Sequence, residues 1–154
     1  GLRIGISAAK GLCYGLNIPL IAIDTLSAMA DSVANNVEKN AVLIPMIDAR
    51  RIEVFCSVHN QGKEIKAVHS RVLNEEPFDE LDSENVYYFG DGAKKGQEHL
   101  NSSWTYLPEP KTSAKNLIPI AWKKFTEKDF ENVAYFEPSY HKDFHAGKPK
   151  KVLK

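Results

Sequence analysis

Cysteine, net charge and unbroken apolar runs are all scarce in this chain. Its two cysteines, Cys13 and Cys56, lie far apart and indicate neither a disulfide framework nor a zinc ribbon. Lysine plus arginine (20) equals aspartate plus glutamate (20), so no overall field attracts nucleic acid or an anionic membrane. Residues 5–23 carry one charge, but glycines and Pro19 interrupt them, which argues against a membrane span. We see no charged leader with a cleavage site, so we expect a protein of the reducing cytoplasm.

Glycine, by contrast, is abundant in the first fifteen residues, GLRIGISAAKGLCYG, although each interior glycine costs a helix about 1 kcal/mol. At 100° per residue the small residues share an arc of about 120° with Ile4 and Leu12, and the other apolar residues form a second arc. Such a helix has two dry faces. One can cover a sheet, while the other lets a second backbone approach closely. That backbone belongs either to another helix of the chain or to a partner subunit.

Apolar periodicity predicts an α/β chain. Helices are predicted over 1–16, from the Asp24 cap to 38, 93–100 and 112–128, the last kinked by Pro119. Strands are predicted over 18–23, 41–48, 52–59, 64–70, 85–89 and 104–107. Alternation within 52–59 indicates a strand with one drier face. A hairpin turn at 60–63 makes three of the strands an antiparallel meander.

Four stretches carry a family resemblance. They are GLRIGISAAKGLCYGLNIPLIAIDTLSAMA (1–30), PMIDARRIEVF (45–55), GDGAKK (90–95) and EPSYHKDF (137–144). Together they resemble the TsaB (YeaZ) family. The resemblance implies an actin-like (ASKHA, RNase H-like) α/β fold with a mixed or antiparallel sheet and flanking helices. Residues 1–38 would be a remnant of the first lobe, 39–137 the second lobe, and 138–154 a basic tail. We therefore expect the chain to correspond to the C-terminal two-thirds of a family member.

The resemblance also implies a function. TsaB proteins are non-catalytic partners of TsaD in making threonylcarbamoyladenosine on tRNAs that read ANN codons. The ATPase TsaE joins the pair, and tRNA is reached indirectly through the complex. We expect no cofactor and no catalytic residue in this chain. The partner-binding residues implied on the first helix are Gly1, Arg3, Ile4, Gly5, Ser7, Ala8, Lys10, Leu12 and Gly15, and the same helix of a second copy could pair with them in a homodimer. The alternatives are a glycopeptidase-like metallohydrolase and a nucleotide-binding ASKHA module acting alone.

Three short motifs are further candidates for chemistry. Gly90-Asp91-Gly92 could contact a nucleotide, but a tight strand-to-helix turn explains it more simply. Asp48 beside two arginines could be a catalytic carboxylate, but a strand-end carboxylate paired with arginine is the commoner arrangement. His141, Asp143 and His145 have metal-ligand spacing, yet they lie in a lysine-rich segment that we interpret as solvated surface.

The end of the chain is basic, with five lysines against one aspartate from Lys142 onward. These lysines could touch tRNA phosphates. Because no aromatic residues alternate with them, a disordered tail is the preferred interpretation. No serine lies in a GxSxG elbow and neither cysteine has a histidine beside it in sequence, so nucleophilic hydrolysis lacks support.

Overall fold

A mixed five-stranded sheet organises the computed structural model, which describes residues 1–75, 78, 81 and 83–142. The strands are β1 (Val42–Asp48), β2 (Glu53–Asn60), β3 (Lys63–Val72), β4 (Val86–Phe89) and β5 (Thr105–Leu107). They lie in the order β3-β2-β1-β4-β5. The first three form an antiparallel meander, while β4 is parallel to β1 and β5 is parallel to β4. The predicted mixed sheet and meander are confirmed.

The turn between β2 and β3 has the predicted hairpin geometry. Gln61 (φ 50°) and Gly62 (φ 72°) both adopt left-handed backbone conformations. A two-residue turn of this kind matches the right-handed twist of the flanking strands. The turn therefore fixes which residues of β3 lie opposite β2.

Helix α2 (Thr25–Ala34) covers one face of the sheet. It begins as predicted, because the Asp24 carboxylate accepts a hydrogen bond from the Ser27 amide at 2.8 Å. Its apolar side, which includes Leu26 and Met29, is buried against Leu43 and Phe89. The helix ends earlier than the predicted residue 38.

The other face of the sheet is covered by apolar residues outside the strands, among them Leu73, Phe78 and Trp104. Val54, Cys56 and Val58 lie fully buried there, and Phe78 meets Trp104 edge to face with ring centroids 6.0 Å apart. The intervening Ser57 and His59 are buried as well, beneath the α2 side. Because both faces of β2 are covered, the prediction of a single drier face is incomplete.

Three element predictions need correction. Residues 18–23 form no strand; Leu20 makes only one bridge, to Glu131, and no described strand lies beside the rest of the segment. The helix predicted over 93–100 is a single 3-10 turn, Ala93–Gly96. The helix predicted over 112–128 is divided into a 3-10 turn, Ala114–Leu117, and helix α3, Ile118–Glu127. Pro119 lies in the first turn of α3, where its missing N–H costs nothing, so it starts the helix rather than kinking it.

Candidate functional site: the open face of the first helix

Helix α1 (Leu2–Leu16) forms over the glycine-rich stretch, as predicted. Asn17 adopts a left-handed conformation (φ 53°) and ends the helix. The Ile18 amide returns to the Cys13 carbonyl at 3.0 Å, which satisfies one of the last free carbonyls. No residue of α1 is fully buried. A helix that contains three interior glycines and buries nothing completely gains little from this chain alone.

The two apolar arcs of α1 differ in exposure. In the second arc, Ile6, Ala9 and Cys13 are half-buried, whereas Leu2 (55%) and Leu16 (64%) at its two ends are exposed. Every residue of the glycine face is exposed, including Ile4 (77%) and Leu12 (63%). We use the term glycine face for Gly1, Ile4, Gly5, Ala8, Gly11, Leu12 and Gly15.

None of the described residues fills the space beside the glycine face. A Cβ atom added at Gly1, Gly5, Gly11 or Gly15 would meet no atom within 4 Å. Among the described residues, no other helix packs against this face, and none of the element pairs in extended contact includes α1. The described part of the chain therefore holds no neighbouring helix that would account for the small residues.

The polar edge of α1 contacts the segment 134–140. The Lys10 ammonium donates to the Ala134 and Phe136 carbonyls at 3.1 and 2.9 Å. The Arg3 guanidinium donates to the Tyr140 hydroxyl at 2.6 Å and lies 5.4 Å from the centre of that ring. Both cations thus hold α1 to the chain itself, while Ser7 is exposed beside them. Ser7, Arg3 and Lys10 remain predictions as partner-binding residues.

The Gly90-Asp91-Gly92 turn lies on top of β1. A Cβ atom on Gly90, whose φ is +105°, would come within 2.2 Å of the Met46 carbonyl oxygen. The Gly92 amide donates to that same oxygen at 3.2 Å, and the Asp91 carboxylate accepts from the Asp48 amide at 3.1 Å. These groups are occupied by the strand, as a tight turn requires. Nucleotide contact at this turn stays a prediction.

Asp48 pairs with a lysine and not with the neighbouring arginines, which corrects the sequence-based interpretation. The Lys95 ammonium lies 2.7 Å from the Asp48 carboxylate and also donates to the Arg51 and Glu53 carbonyls at 2.9 and 2.7 Å. The hydrogen bond from Lys95 lowers the pKa of Asp48. Arg50 and Arg51 both have positive φ, 77° and 49°. Lys95 therefore closes the β1–β2 turn and holds the Asp48 carboxylate in an ion pair.

Two histidine pairs were missed by the sequence analysis. The Ser57 hydroxyl lies 2.8 Å from His59 Nε2, and the Cys56 thiol lies 3.6 Å from His69 Nε2. The first pair has a sequence signal, since residues two apart on a strand share a face. The second joins opposite residues of β2 and β3, so only the strand register reveals it. Ser57 and Cys56 are fully buried, which closes both to a substrate.

The metal motif falls largely outside the described residues. His141 is exposed, whereas Asp143, His145 and the rest of the basic tail (143–154) lie beyond them. In the described part of the chain, no group of three or more histidine, cysteine, aspartate or glutamate side chains could hold a metal ion. In the same part of the chain, no helix is both long enough and apolar enough to cross a membrane.

The arrangement of the sheet and its flanking helices shows the class of fold. Two solved structures from Pseudomonas aeruginosa share the fold: an uncharacterized protein with similarity to peptidase YeaZ (TM-score 0.66, 21% identity) and YeaZ itself (TM-score 0.67, 19% identity). The alignments cover 92% and 91% of this chain and 68% of each of those chains. The expected α/β, actin-like fold is confirmed.

The family follows from the sequence comparisons. The model of TsaD, tRNA N6-adenosine threonylcarbamoyltransferase, matches residues 1–136, and the chain belongs to this family. The tRNA threonylcarbamoyladenosine biosynthesis protein TsaB of Escherichia coli is 30% identical over 91% of the chain, and that of Haemophilus influenzae is 26% identical over 91%. The resemblance to TsaB (YeaZ) is thereby confirmed. The chain spans 64% of the length of each of these two relatives.

Proposed function

We propose that the protein takes part in tRNA threonylcarbamoyladenosine biosynthesis as a non-catalytic partner that binds and activates a TsaD-type transferase. The TsaD family match and the two TsaB relatives support the pathway. The open glycine face of α1 is the single observation that supports a partner role. TsaE as a third component, an indirect contact with tRNA and a cytoplasmic location belong to the same proposal.

The physical argument starts from the cost of the glycines. Gly5, Gly11 and Gly15 weaken α1 by about 1 kcal/mol each relative to alanine. No atom of the described residues lies within 4 Å of a Cβ added at any of the three, so nothing in the described chain offsets that cost. A partner helix that approaches closely enough to contact the α1 backbone would offset it through van der Waals contacts along the whole stripe. Ile4 and Leu12, both largely exposed, would supply the apolar contacts beside the stripe.

The test is the affinity of the chain for the TsaD-type protein of the same organism, measured by isothermal titration calorimetry. We expect Gly5→Leu to weaken binding by about 100-fold or more, because the leucine side chain holds the two backbones apart. Addition of the wild-type chain should raise threonylcarbamoyladenosine formation by the transferase, and the variant should not.

Tyr14→Leu is the matched control. Tyr14 is 84% exposed and lies about 180° around the helix from Gly5, at 100° per residue. It introduces the same side chain into the same helix on the polar edge, so binding should stay within about twofold of wild type. Equal affinities for all three chains would refute the glycine face as the partner surface.

The same face can join two copies of this chain when no transferase is present, and sedimentation of the wild type and Gly5→Leu would measure that association. The two alternatives to a scaffolding role are tested more directly. Stoichiometric zinc or iron in a native preparation would favour the metallohydrolase, and ATP binding by calorimetry would favour the nucleotide-binding module.

A further inference from the structure

The turn between β1 and β2 holds two arginines in a disfavoured backbone conformation. Arg50 (φ 77°) and Arg51 (φ 49°) both lie in the left-handed region, which residues other than glycine, asparagine and aspartate seldom adopt. The turn at the opposite end of β2 also has two positive φ angles, but there one of the two residues is Gly62. Strain of this kind persists where the residue serves a function that an easier residue would not.

The backbone of the turn is held without help from the arginine side chains. Three acceptors surround the Lys95 ammonium, one for each of its N–H groups: the Asp48 carboxylate at 2.7 Å and the Arg51 and Glu53 carbonyls at 2.9 and 2.7 Å. The Asp48 carboxylate also accepts from the Arg50 amide at 2.5 Å. Almost any residue at these two positions would supply the same amide and carbonyl, so the turn itself does not require arginine.

Both carboxylates of the turn are paired with lysines from elsewhere in the chain. Asp48 pairs with Lys95, and Glu53 pairs with Lys142. The two arginine side chains are exposed, and their guanidiniums make no hydrogen bond or ion pair with any residue that the structure describes. The lysines therefore neutralise the acids of the turn, and the two guanidiniums keep all their donors for a ligand.

We propose that Arg50 and Arg51, the arginine pair, bind phosphates of an RNA backbone. The planar fork of a guanidinium matches two phosphate oxygens at once. The surroundings are basic although the whole chain is neutral, because the segments 48–53 and 91–95 together with Lys142 hold five cations and three carboxylates. The choice of RNA rests on the proposed function, to which the arginine pair adds a direct contact with the substrate of that pathway.

The position of the arginine pair favours an extended polyanion over other anionic ligands. A small phosphorylated molecule is held in a pocket that encloses most of its surface, whereas this turn is open to water. Protein interfaces are centred on apolar and aromatic anchors, and the turn offers only Ile52, which is 37% exposed. A phosphate backbone requires no more than charges presented at a surface. Arginine also occurs in protein interfaces, so the test includes that outcome.

Binding is measured by the fluorescence anisotropy of a labelled, unmodified tRNA transcript titrated with the full chain at about 50 mM salt, where phosphate contacts are strong. Arg50→Gln and Arg51→Gln should each weaken binding by about tenfold. Each should also lower the slope of log affinity against log salt by about 0.7 to 0.9, the value for one phosphate contact. Arg51→Lys should keep the slope, because its charge remains, but lose part of the affinity with the fork.

Lys63→Gln is the matched control. Lys63 is exposed beside the turn at the other end of β2, and it makes no ion pair with a described residue. Its loss removes one positive charge, as each arginine variant does, and should leave both affinity and slope as in the wild type.

Arg50→Gly separates a binding role from a structural one. Glycine adopts the left-handed conformation without strain, so the urea midpoint of this variant should equal or exceed that of the wild type while its affinity for the transcript falls. A lower midpoint together with unchanged affinity would show that the arginine serves the turn and not a ligand.

Four results would overturn the arginine pair as an RNA site. These are no binding of the transcript by the wild type, an equal loss in Lys63→Gln, displacement of the transcript by millimolar ATP, and arginine variants that bind the transcript normally but the transferase weakly. The last would indicate a protein interface. Gly5→Leu should bind the transcript normally, and the arginine variants should bind the transferase normally in calorimetry, so failure of one proposal is distinguishable from failure of the other.

Discussion

Two groups of glycines in this chain occupy opposite environments. Gly90 and Gly92 lie where an added Cβ would come within 2.2 and 2.8 Å of β1 backbone atoms. Gly5, Gly11 and Gly15 lie where an added Cβ would meet nothing within 4 Å. In the turn, the fold itself explains the glycines. On α1, the described fold does not explain them, and the proposal is that a partner helix does.

The largest expected effect comes from adding a side chain inside the Gly90-Asp91-Gly92 turn. Gly90→Ala forces a side chain into a left-handed conformation and against the Met46 carbonyl, so we expect a loss of about 4 kcal/mol in the free energy of unfolding. Urea denaturation followed by far-UV circular dichroism measures it. Gly5→Ala, the same change at an open position, should cause no loss. If both variants had equal midpoints, the contrast between the two groups would be wrong.

Acidification should weaken the sheet through His59. Burial lowers the pKa of this histidine below its ordinary value of 6.5. Below pH 6.5 the unfolded chain takes up a proton that the folded chain resists, so stability is complete above that pH and falls as the pH drops toward the lowered folded pKa. Urea midpoints between about pH 7 and pH 5 measure the loss.

His59→Gln should reduce that acid sensitivity, whereas His141→Gln, at an exposed histidine, should preserve it. Asp48 and Glu53 contribute in a different range. Their lysine partners lower the pKa of each carboxylate, so their share of the stability is lost only in more acidic solution. A midpoint for the wild type that does not change with pH would contradict the prediction.

Replacing a glycine of α1 by alanine should stabilise the helix, in contrast to the loss expected at Gly90. Gly11→Ala removes a glycine from the helix interior without meeting any atom, so we expect α1 to gain about 1 kcal/mol. Because few contacts join α1 to the sheet, the gain should appear as slower hydrogen exchange of α1 amides rather than as a higher global midpoint. Unchanged or faster exchange would contradict the prediction, because it would mean that an alanine side chain at position 11 disrupts contacts of α1.

Much of this contrast could be predicted from the sequence, because it depends on local patterns. The Asp24 cap, the meander and the two arcs of α1 follow from spacing alone. What failed depended on long-range neighbours. The apolar run over residues 18–23 predicts a strand, but the segment makes only one bridge. A strand requires a neighbouring strand, and the sequence of the segment alone does not show whether one is present.

The prediction of an arginine partner for Asp48 was wrong for the same reason. Two arginines follow it in sequence, yet the fold brings Lys95 to it across the sheet edge. Local spacing places residues on a face, but only the assembled sheet decides which cation reaches a strand-end carboxylate. The neighbouring rings of Trp122, Phe125 and Phe130 show the same limit, because Trp122 and Phe125 have helical spacing, whereas Phe130 joins them only after the chain leaves α3.

The smallest expected effect tests how firmly the segment after residue 130 is attached. The Lys142 ammonium contacts the Glu53 carboxylate at 2.5 and 2.8 Å, and Lys142 is 42% exposed. The Glu53 side chain is 15% exposed, but the ammonium that pairs with it is open to water. Such ion pairs contribute little, so Lys142→Gln should lower the free energy of unfolding by less than about 1 kcal/mol, and less still in high salt. Urea denaturation at two salt concentrations measures both.

The comparison becomes sharper if Lys142→Gln is combined with Lys10→Gln. Lys10 holds α1 to the carbonyls of Ala134 and Phe136, in the segment that Lys142 ties to β2. If the two lysines secure α1 through one shared segment, either change alone already interrupts that attachment, so the double variant should speed hydrogen exchange in α1 by less than the product of the single effects. The exchange of β1 amides should not change. Additive effects would mean that α1 is held at two independent points.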